Sequence, residues 1–222
     1  MLQPSTLKFL KDLKKNNNKP WFDLHRPQYE ASKKDLGDFI QSIILQHGKK
    51  DNDIRELTPQ KCMFRINRDI RFSKDKSPYK TNMGASLDRG GKKSIFAGYY
   101  IHIEPGKSFV GGGLWMPMPG EMKKVRQEID YCGAELMEIL NTKKFKAVYG
   151  DLYKGEDIAL SKVPQGFDKN SPVAGYIKLK SWLAMKEVAD KEIISRDFFK
   201  NTITAFETLQ PLIKFINRAL ED

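Results

Sequence analysis

Hydrophobic residues in the first fifty positions recur at helical spacing. Ser5 offers an N-cap for a first helix, and the run of asparagines before Pro20 ends it. Pro27 suits the first position of a second helix, and Gly48 suits the position just after its end. Within the second helix, apolar residues return every three, four or seven positions: Tyr29, Leu36, Phe39, Ile40, Ile43 and Ile44. One face of this helix is therefore predicted to pack on the core.

The middle of the chain changes to a period of two, which is typical of half-buried strands. Residues 62–72 place apolar side chains at even positions and polar ones at odd positions. Arg68 interrupts the apolar row and is expected to pair with a carboxylate or backbone carbonyls, or to reach solvent at the sheet edge. Residues 98–104 alternate likewise, and a third strand over residues 108–115 follows a Pro-Gly turn. The pattern predicts an antiparallel sheet with one apolar and one polar face.

Helical spacing returns in the last hundred residues. Apolar positions from Met122 to Leu140 predict one helix, and a shorter helix is predicted over residues 143–149, ended by Gly150. Residues 176–180 and 192–194 are predicted as short strands on either side of a helix near residues 181–188. The last helix starts after Ser195, and Pro211 is expected to break or kink it. The chain is thus predicted to be one α+β domain, residues 1–222, with helices packed on one face of the sheet.

Composition narrows the function classes. The 222 residues carry 39 Lys and Arg against 28 Asp and Glu, a net charge of +11. No apolar run approaches the ~18 residues that a bilayer-spanning helix needs, and the first twenty residues lack a signal-peptide core. A cytoplasmic protein without a membrane partner is expected. Cys62 and Cys132 have no zinc-ligand or redox spacing and are expected to be reduced thiols.

The positive charge is concentrated between Lys61 and Lys93. This stretch holds ten basic and three acidic residues, which supplies +7 of the total charge. Such a patch attracts anions, so an anionic ligand is expected, either a nucleic acid or a phosphorylated metabolite. A well-solvated surface that keeps the protein soluble explains the same charge.

Two polar rows on the predicted strands could form a site. The odd positions 65–71 and the residues 100, 102 and 104 would converge if the strands pair with both rows on one face. The residues predicted to bind the ligand are Arg65, Asn67, Arg71, Lys74, Lys76, Tyr79, Lys80 and Tyr100. The arginines could grip an anion bidentately, and the lysines could act as point charges. Tyr79 could stack on a base or pack on the sheet.

In an enzyme, a carboxylate or imidazole of these rows would move protons. The candidate catalytic residues are Asp69, His102 and Glu104, with arginines stabilising charge that develops on a phosphoryl or carboxyl group. The same three residues could bind a metal ion, but the neighbouring arginines disfavour it, so no metal and no cofactor is predicted. Cross-strand salt bridges are another use of such rows. A module that docks an acidic protein partner without catalysis stays open as the alternative function, and so does the oligomeric state.

The segment RDIRFSKDKSPYKT, from Arg68 to Thr81, resembles the hallmark of a family of conserved hypothetical proteins, domain of unknown function 2461. The similarity extends to both sides of this segment. It includes Asn16, Asn17, Trp21, Phe22, Arg26 and Tyr29 before it, and Gly98 to Tyr100, Gly111 to Trp115 and Arg126 after it. The resemblance implies a single-domain protein of bacterial type without an assigned reaction, and it transfers no catalytic residue.

Overall fold

The computed structural model describes residues 1–221, which form eleven helices and four strands. The helices are α1 Pro4–Lys15, α2 Lys19–Leu24, α3 Arg26–His47, α4 Asn52–Arg55, α5 Pro59–Cys62, α6 Pro119–Tyr131, α7 Gly133–Asn141, α8 Lys143–Tyr149, α9 Ala174–Ile177, α10 Asp190–Ile193 and α11 Phe198–Arg218. The strands are β1 Met83–Asp88, β2 Gly98–Ile103, β3 Ser108–Leu114 and β4 Trp182–Val188. The α+β class with an antiparallel sheet is confirmed.

The four strands form one antiparallel sheet in the order β1-β2-β3-β4. The helices α3 and α11 cover its apolar face, because both carry a stripe of buried apolar side chains. Aromatic rings join these layers: Phe206 of α11 stacks on Tyr99 of β2 with ring centroids 4.7 Å apart, and Phe198 stacks on Phe39 of α3 at 4.8 Å. The opposite face of the sheet, called the open face, carries the even-numbered side chains of β2.

Two of the three strands predicted in the middle of the chain are confirmed as β2 and β3. The strand predicted over residues 62–72 is wrong, because α5 ends at Cys62 and the chain then makes only isolated bridges to its neighbours. In its apolar row Cys62 and Ile66 are buried, but Phe64 between them is 39% exposed. Beyond Arg68 the chain turns away from the sheet and returns at Tyr79, so β1, at residues 83–88, takes the position beside β2.

The predictions for residues 176–194 are also wrong, and the order of helix and strand is reversed. The predicted strands begin inside the short helices α9 and α10, and the predicted helix is the strand β4. Residues 183–187, Leu-Ala-Met-Lys-Glu, favour a helix intrinsically, but pairing with seven positions of β3 outweighs that preference.

Two helix predictions need correction. The helix predicted from Met122 to Leu140 is two helices, α6 and α7, which meet at Cys132. In α11 the helix continues across Pro211 without a break. Pro211 is exposed, while Leu209, Leu212 and Ile213 beside it are buried, so core packing offsets the ~3 kcal/mol that a proline costs inside a helix.

Candidate functional site

Residues 68–78 form an exposed loop, called the basic loop. Two backbone hydrogen bonds close its base, from Arg68 N to Pro78 O (2.9 Å) and from Lys80 N to Ile66 O (2.8 Å). Asn67, which is exposed, bridges Tyr79 between these two bonds. The predicted ligand residues 65–80 therefore lie on this loop and at its base, and not along a strand.

Two ion pairs lie inside the basic loop. Arg71 binds Asp69 with two nitrogens, at 3.0 Å from Nε to Oδ1 and 2.6 Å from Nη2 to Oδ2. Arg68 pairs with Asp75, as expected for an arginine in an apolar row. Hydrogen bonds from the Ser77 hydroxyl and N–H, together with the Arg68 guanidinium, hold the pKa of Asp75 well below its usual range. Asp75 is thus ionised and fixes the course of the loop.

Four cations at the basic loop have no acidic partner within residues 1–221. Lys74 and Lys76 belong to the loop, while Arg65 and Lys80 lie at its base. Lys76 donates to the backbone carbonyl of Ile70 at 3.0 Å, which positions its ammonium group without neutralising it. Because the loop's two carboxylates are already paired with arginines, these four charges remain available to an external anion.

Phe72 lies in the basic loop with 96% of its surface exposed. The guanidinium carbon of Arg71 is 5.9 Å from the centre of its ring. Sequence patterning assigned Phe72 to the apolar face of a strand, but the ring packs on no part of the core. A ring this exposed is free to contact a ligand, so Phe72 is the residue of this loop that offers a face for stacking.

Tyr79 anchors the base of the loop and is used for packing. Its ring stacks on Phe22 of α2 with centroids 3.9 Å apart, and only 6% of the residue is exposed. Of the two uses considered for Tyr79, stacking on a base and packing on the protein, the structure places it in the second.

On the open face, three side chains of β2 and its end form a hydrogen-bonded series, called the sheet-face row. The hydroxyl of Tyr100 lies 3.4 Å from Nδ1 of His102, and Nε2 of His102 lies 3.3 Å from Oε2 of Glu104. Thr81, directly after the basic loop, donates its hydroxyl to Oε1 of Glu104 at 3.1 Å. The row predicted at residues 100–104 is therefore joined to the end of the loop.

The sheet-face row is mostly shielded from water. The side chains of His102 and Glu104 are 15% and 17% exposed. Burial lowers the pKa of His102, while its hydrogen bond to Glu104 opposes that change, and burial raises the pKa of Tyr100. A neutral imidazole whose Nε2–H donates to the Glu104 carboxylate leaves Nδ1 to accept from the Tyr100 hydroxyl. This arrangement can pass a proton along the row.

Aromatic rings and a lysine surround the row. Phe109 of β3 stacks on His102 with centroids 4.8 Å apart, and Phe64 contacts Tyr100 edge-on at 6.2 Å. Nζ of Lys80 lies 5.5 Å from the centre of the Phe64 ring, and burial and the charge of Arg65 lower its pKa. Lys80 thus lies between the basic loop and the sheet-face row.

Two residues of the open face were missed by sequence analysis because β1 was not predicted. Ser86 pairs across from Tyr100, and Asp88 lies two positions further along the same face. Asp88 is 9% exposed, and within the described chain the only hydrogen-bond donor to its carboxylate is the Ser86 hydroxyl, 2.8 Å from both oxygens. Burial raises the pKa of Asp88 to about 7.

The structure does not unite all predicted site residues. Asp69 and Arg71 bind each other on the exposed loop, whereas His102 and Glu104 bind each other on the sheet. A groove of about 730 Å³ between α3, α5 and residues 64–66 is lined by Arg65, but not by Asp69, Arg71 or Tyr100. The basic loop is therefore an exposed surface and not the wall of a small-molecule cleft.

The comparison with protein families gives one result. The family described as conserved hypothetical protein DUF2461 matches residues 5–215. The chain belongs to this family. The DUF2461 match includes the basic loop and the sheet-face row. No curated protein and no solved structure matches the chain. Within residues 1–221, no helix has the length and apolarity that crossing a membrane requires.

Proposed function

We propose that the protein binds single-stranded nucleic acid through the basic loop. The observation that carries this proposal is Phe72, which is 96% exposed beside the guanidinium of Arg71. Proteins that bind single strands combine cations that follow the phosphates with aromatic rings on which bases stack. The basic loop offers both on one short segment.

The free charges support this choice of ligand. Lys74, Lys76, Lys80 and Arg65 have no acidic partner in the described part of the chain, so each can contact a phosphate and release a counterion. The flexible side chains of lysine suit the variable positions of phosphates on a single strand.

The shape of the loop favours a polymer over a phosphorylated metabolite. A small ligand needs a concave site that surrounds most of its surface, and the loop residues do not line a common cleft. A duplex presents its bases stacked inside, where Phe72 cannot reach a ring face, so the exposed ring favours an unpaired strand. An acidic protein partner would use the same cations, so the test below includes an acidic polypeptide.

Fluorescence anisotropy tests the proposal directly. Labelled single-stranded DNA and RNA of about twelve nucleotides, the matching duplexes and polyglutamate are each titrated with the protein at low and near-physiological salt. We expect the single strands to bind most tightly, with affinity that falls as salt rises. Absence of binding at low salt removes nucleic acid as the ligand. If polyglutamate binds as tightly as the single strands, the result favours an acidic protein partner instead.

Acid–base catalysis on the sheet-face row is a second candidate function. The specific observation is the hydrogen-bonded series of Tyr100, His102 and Glu104, in which burial keeps the imidazole neutral. A neutral, oriented imidazole is suited to act as a general base, with Lys80 available to stabilise negative charge. Asp69 does not join this group, because its carboxylate is bound to Arg71 on the loop.

A further inference from the structure

The outer edge of the sheet at β4 carries backbone groups that pair with nothing in residues 1–221. The N–H of Tyr153 donates to the carbonyl of Leu183 at 2.7 Å. The backbone N–H and C=O groups of Leu183 therefore point outward, away from β3. Because this direction repeats every second residue, Met185 and Glu187 also present their N–H and C=O groups outward. No backbone or side-chain group in the described chain accepts from or donates to these four groups.

A groove of about 1060 Å³ runs beside this unpaired edge. Its walls include Phe109 of β3, Leu152 and Tyr153 of the neighbouring segment, and the side chains of Met185 and Glu187. The segment 151–154 meets the edge only at Leu183, so the groove begins where that pairing ends. The free backbone groups and the groove are thus parts of one surface, called the β4 groove.

Some charged side chains of the β4 groove have a partner in the protein and others have none. Asp151 binds Lys154 at 2.7 Å, Asp190 binds Lys11 at 2.9 Å, and Glu192 accepts from the N–H of Ala189 at 2.9 Å. Glu187 and Lys107 are exposed and form no ion pair in the chain as described, and of these two only Glu187 belongs to the edge strand β4. A partner that pairs with the edge at Glu187 would therefore gain most from a basic side chain at that point.

We propose that the β4 groove binds an extended peptide segment of another protein, which adds a fifth strand to the sheet beside β4. Pairing with Met185 and Glu187 would use the four free backbone groups. Side chains directly opposite each other lie on the same face of a sheet, so the peptide places an apolar residue across from Met185 and a lysine or arginine, two positions away, across from Glu187. The matching motif in an antiparallel peptide is basic, any residue, apolar.

A second copy of this chain fits the edge less well. Lys186 points to the face that also holds the buried residues Ala184 and Val188, although β4 is an edge strand. An inward-pointing lysine on an edge strand is a known device against pairing of identical edges. When two β4 strands pair antiparallel around this position, their Lys186 charges come together.

The test uses a fluorescein-labelled peptide of about seven residues, with lysine and leucine two positions apart and threonine elsewhere. Anisotropy measures its affinity for the full chain and for variants. We expect Glu187→Lys to weaken binding about tenfold, whereas Glu138→Lys, an equal change of charge on the exposed surface of α7, leaves it within about twofold.

A proline at an edge position isolates the backbone contribution. Met185→Pro removes one outward N–H without touching the ladder to β3, and Met185→Leu keeps that N–H with similar volume. We expect a loss of about tenfold for the proline variant and almost none for the leucine variant. Circular dichroism verifies that both variants fold.

Hydrogen exchange measured by NMR gives the direct readout. In the free protein the amides of Met185 and Glu187 exchange fast, and those of Ala184 and Lys186 are protected. The peptide slows exchange at Met185 and Glu187. The proposal is overturned if the peptide does not bind, if a folded Met185→Pro variant binds it unchanged, or if protection appears elsewhere. A dimer that Met185→Pro dissociates also overturns it and assigns the edge to a second copy.

Discussion

The side chain of Asn17 pairs with both backbone groups of Tyr79, donating from Nδ2 to the carbonyl at 2.9 Å and accepting from the N–H at Oδ1 at 3.1 Å. These two bonds imitate one step of a β-ladder between the end of α1 and the base of the basic loop. Tyr79 is therefore fixed by hydrogen bonds to Asn17 and by stacking on Phe22. The exposed loop projects from a rigid base.

Replacing Asn17 should loosen this base. Asn17→Ala leaves the N–H and C=O of Tyr79 without partners in a partly buried position, so we expect a loss of about 1–3 kcal/mol in the free energy of unfolding. Urea denaturation measures it. Asn170→Ala is the control, because Asn170 is exposed in a loop and does not contact Tyr79. An unchanged urea midpoint for Asn17→Ala would contradict the anchoring role.

Lys74 and Lys76 should each contribute one phosphate contact. Single substitutions to alanine are expected to reduce the slope of log affinity against log salt by about 0.7 for a single strand. Lys144→Ala is the control, because Lys144 is exposed on α8. Anisotropy at several salt concentrations gives the slopes. If the control reduces the slope as much as the loop variants do, the oligonucleotide responds to the overall charge of the protein and does not contact the loop specifically.

Asp88 should make stability depend on pH. Because burial raises its pKa to about 7, the folded protein holds a proton that the unfolded chain releases near pH 4. Stability from this group is thus present below about pH 4 and is lost as pH rises to about 7, by up to about 4 kcal/mol. We expect Asp88→Asn to abolish this part of the pH profile in thermal or urea unfolding. Asp38→Asn on the exposed surface of α3 should not, and a profile unchanged in Asp88→Asn would contradict the assignment.

His102 should titrate below the usual value of an exposed histidine, about 6.5. Burial lowers its pKa, and the hydrogen bond to Glu104 raises it, so Glu104→Gln should move the NMR titration midpoint of the His102 ring further down. Because the folded state favours the neutral ring, the contribution of His102 to stability is lost as pH falls below about 6.5. Glu138→Gln, far along the chain in α7, is the matched control. An upward shift in Glu104→Gln would contradict the hydrogen-bonded row.

The periodicity of β2 and β3 was predictable because each strand has a core row and an open-face row of its own. The same reasoning placed Tyr100, His102 and Glu104 on one face, where they hydrogen-bond in series. It failed for residues 62–72, because their alternating pattern continues past Arg68 whereas the chain leaves the sheet there. The competing interactions are the Arg68–Asp75 pair, seven positions apart, and the Tyr79 anchor on Asn17, 62 positions apart, and neither leaves a periodic signal.

Other features depended on tertiary pairing and could not be predicted from local patterns. Met83 to Asp88 includes Gly84, Ala85 and Ser86, which have low strand propensity, and it forms a strand because β2 pairs with it. A side chain at Gly84 would lie 2.6 Å from the Tyr100 hydroxyl, so the small residue makes room for the sheet-face row. Ser86 and Asp88 were missed for the same reason.

The most direct test of nucleic-acid binding by the basic loop is the effect of Phe72 on single-strand affinity. Anisotropy with an oligonucleotide compares the wild-type protein with Phe72→Ala, Phe72→Trp and Ile95→Ala, the last an exposed apolar residue outside the loop. Loss of one stacked base costs about 1–3 kcal/mol, so Phe72→Ala should weaken binding roughly 5- to 150-fold, while Phe72→Trp retains it and Ile95→Ala changes little. Urea unfolding of Phe72→Ala should match the wild type, because the ring packs on no part of the core. Unchanged single-strand affinity in Phe72→Ala would contradict the account.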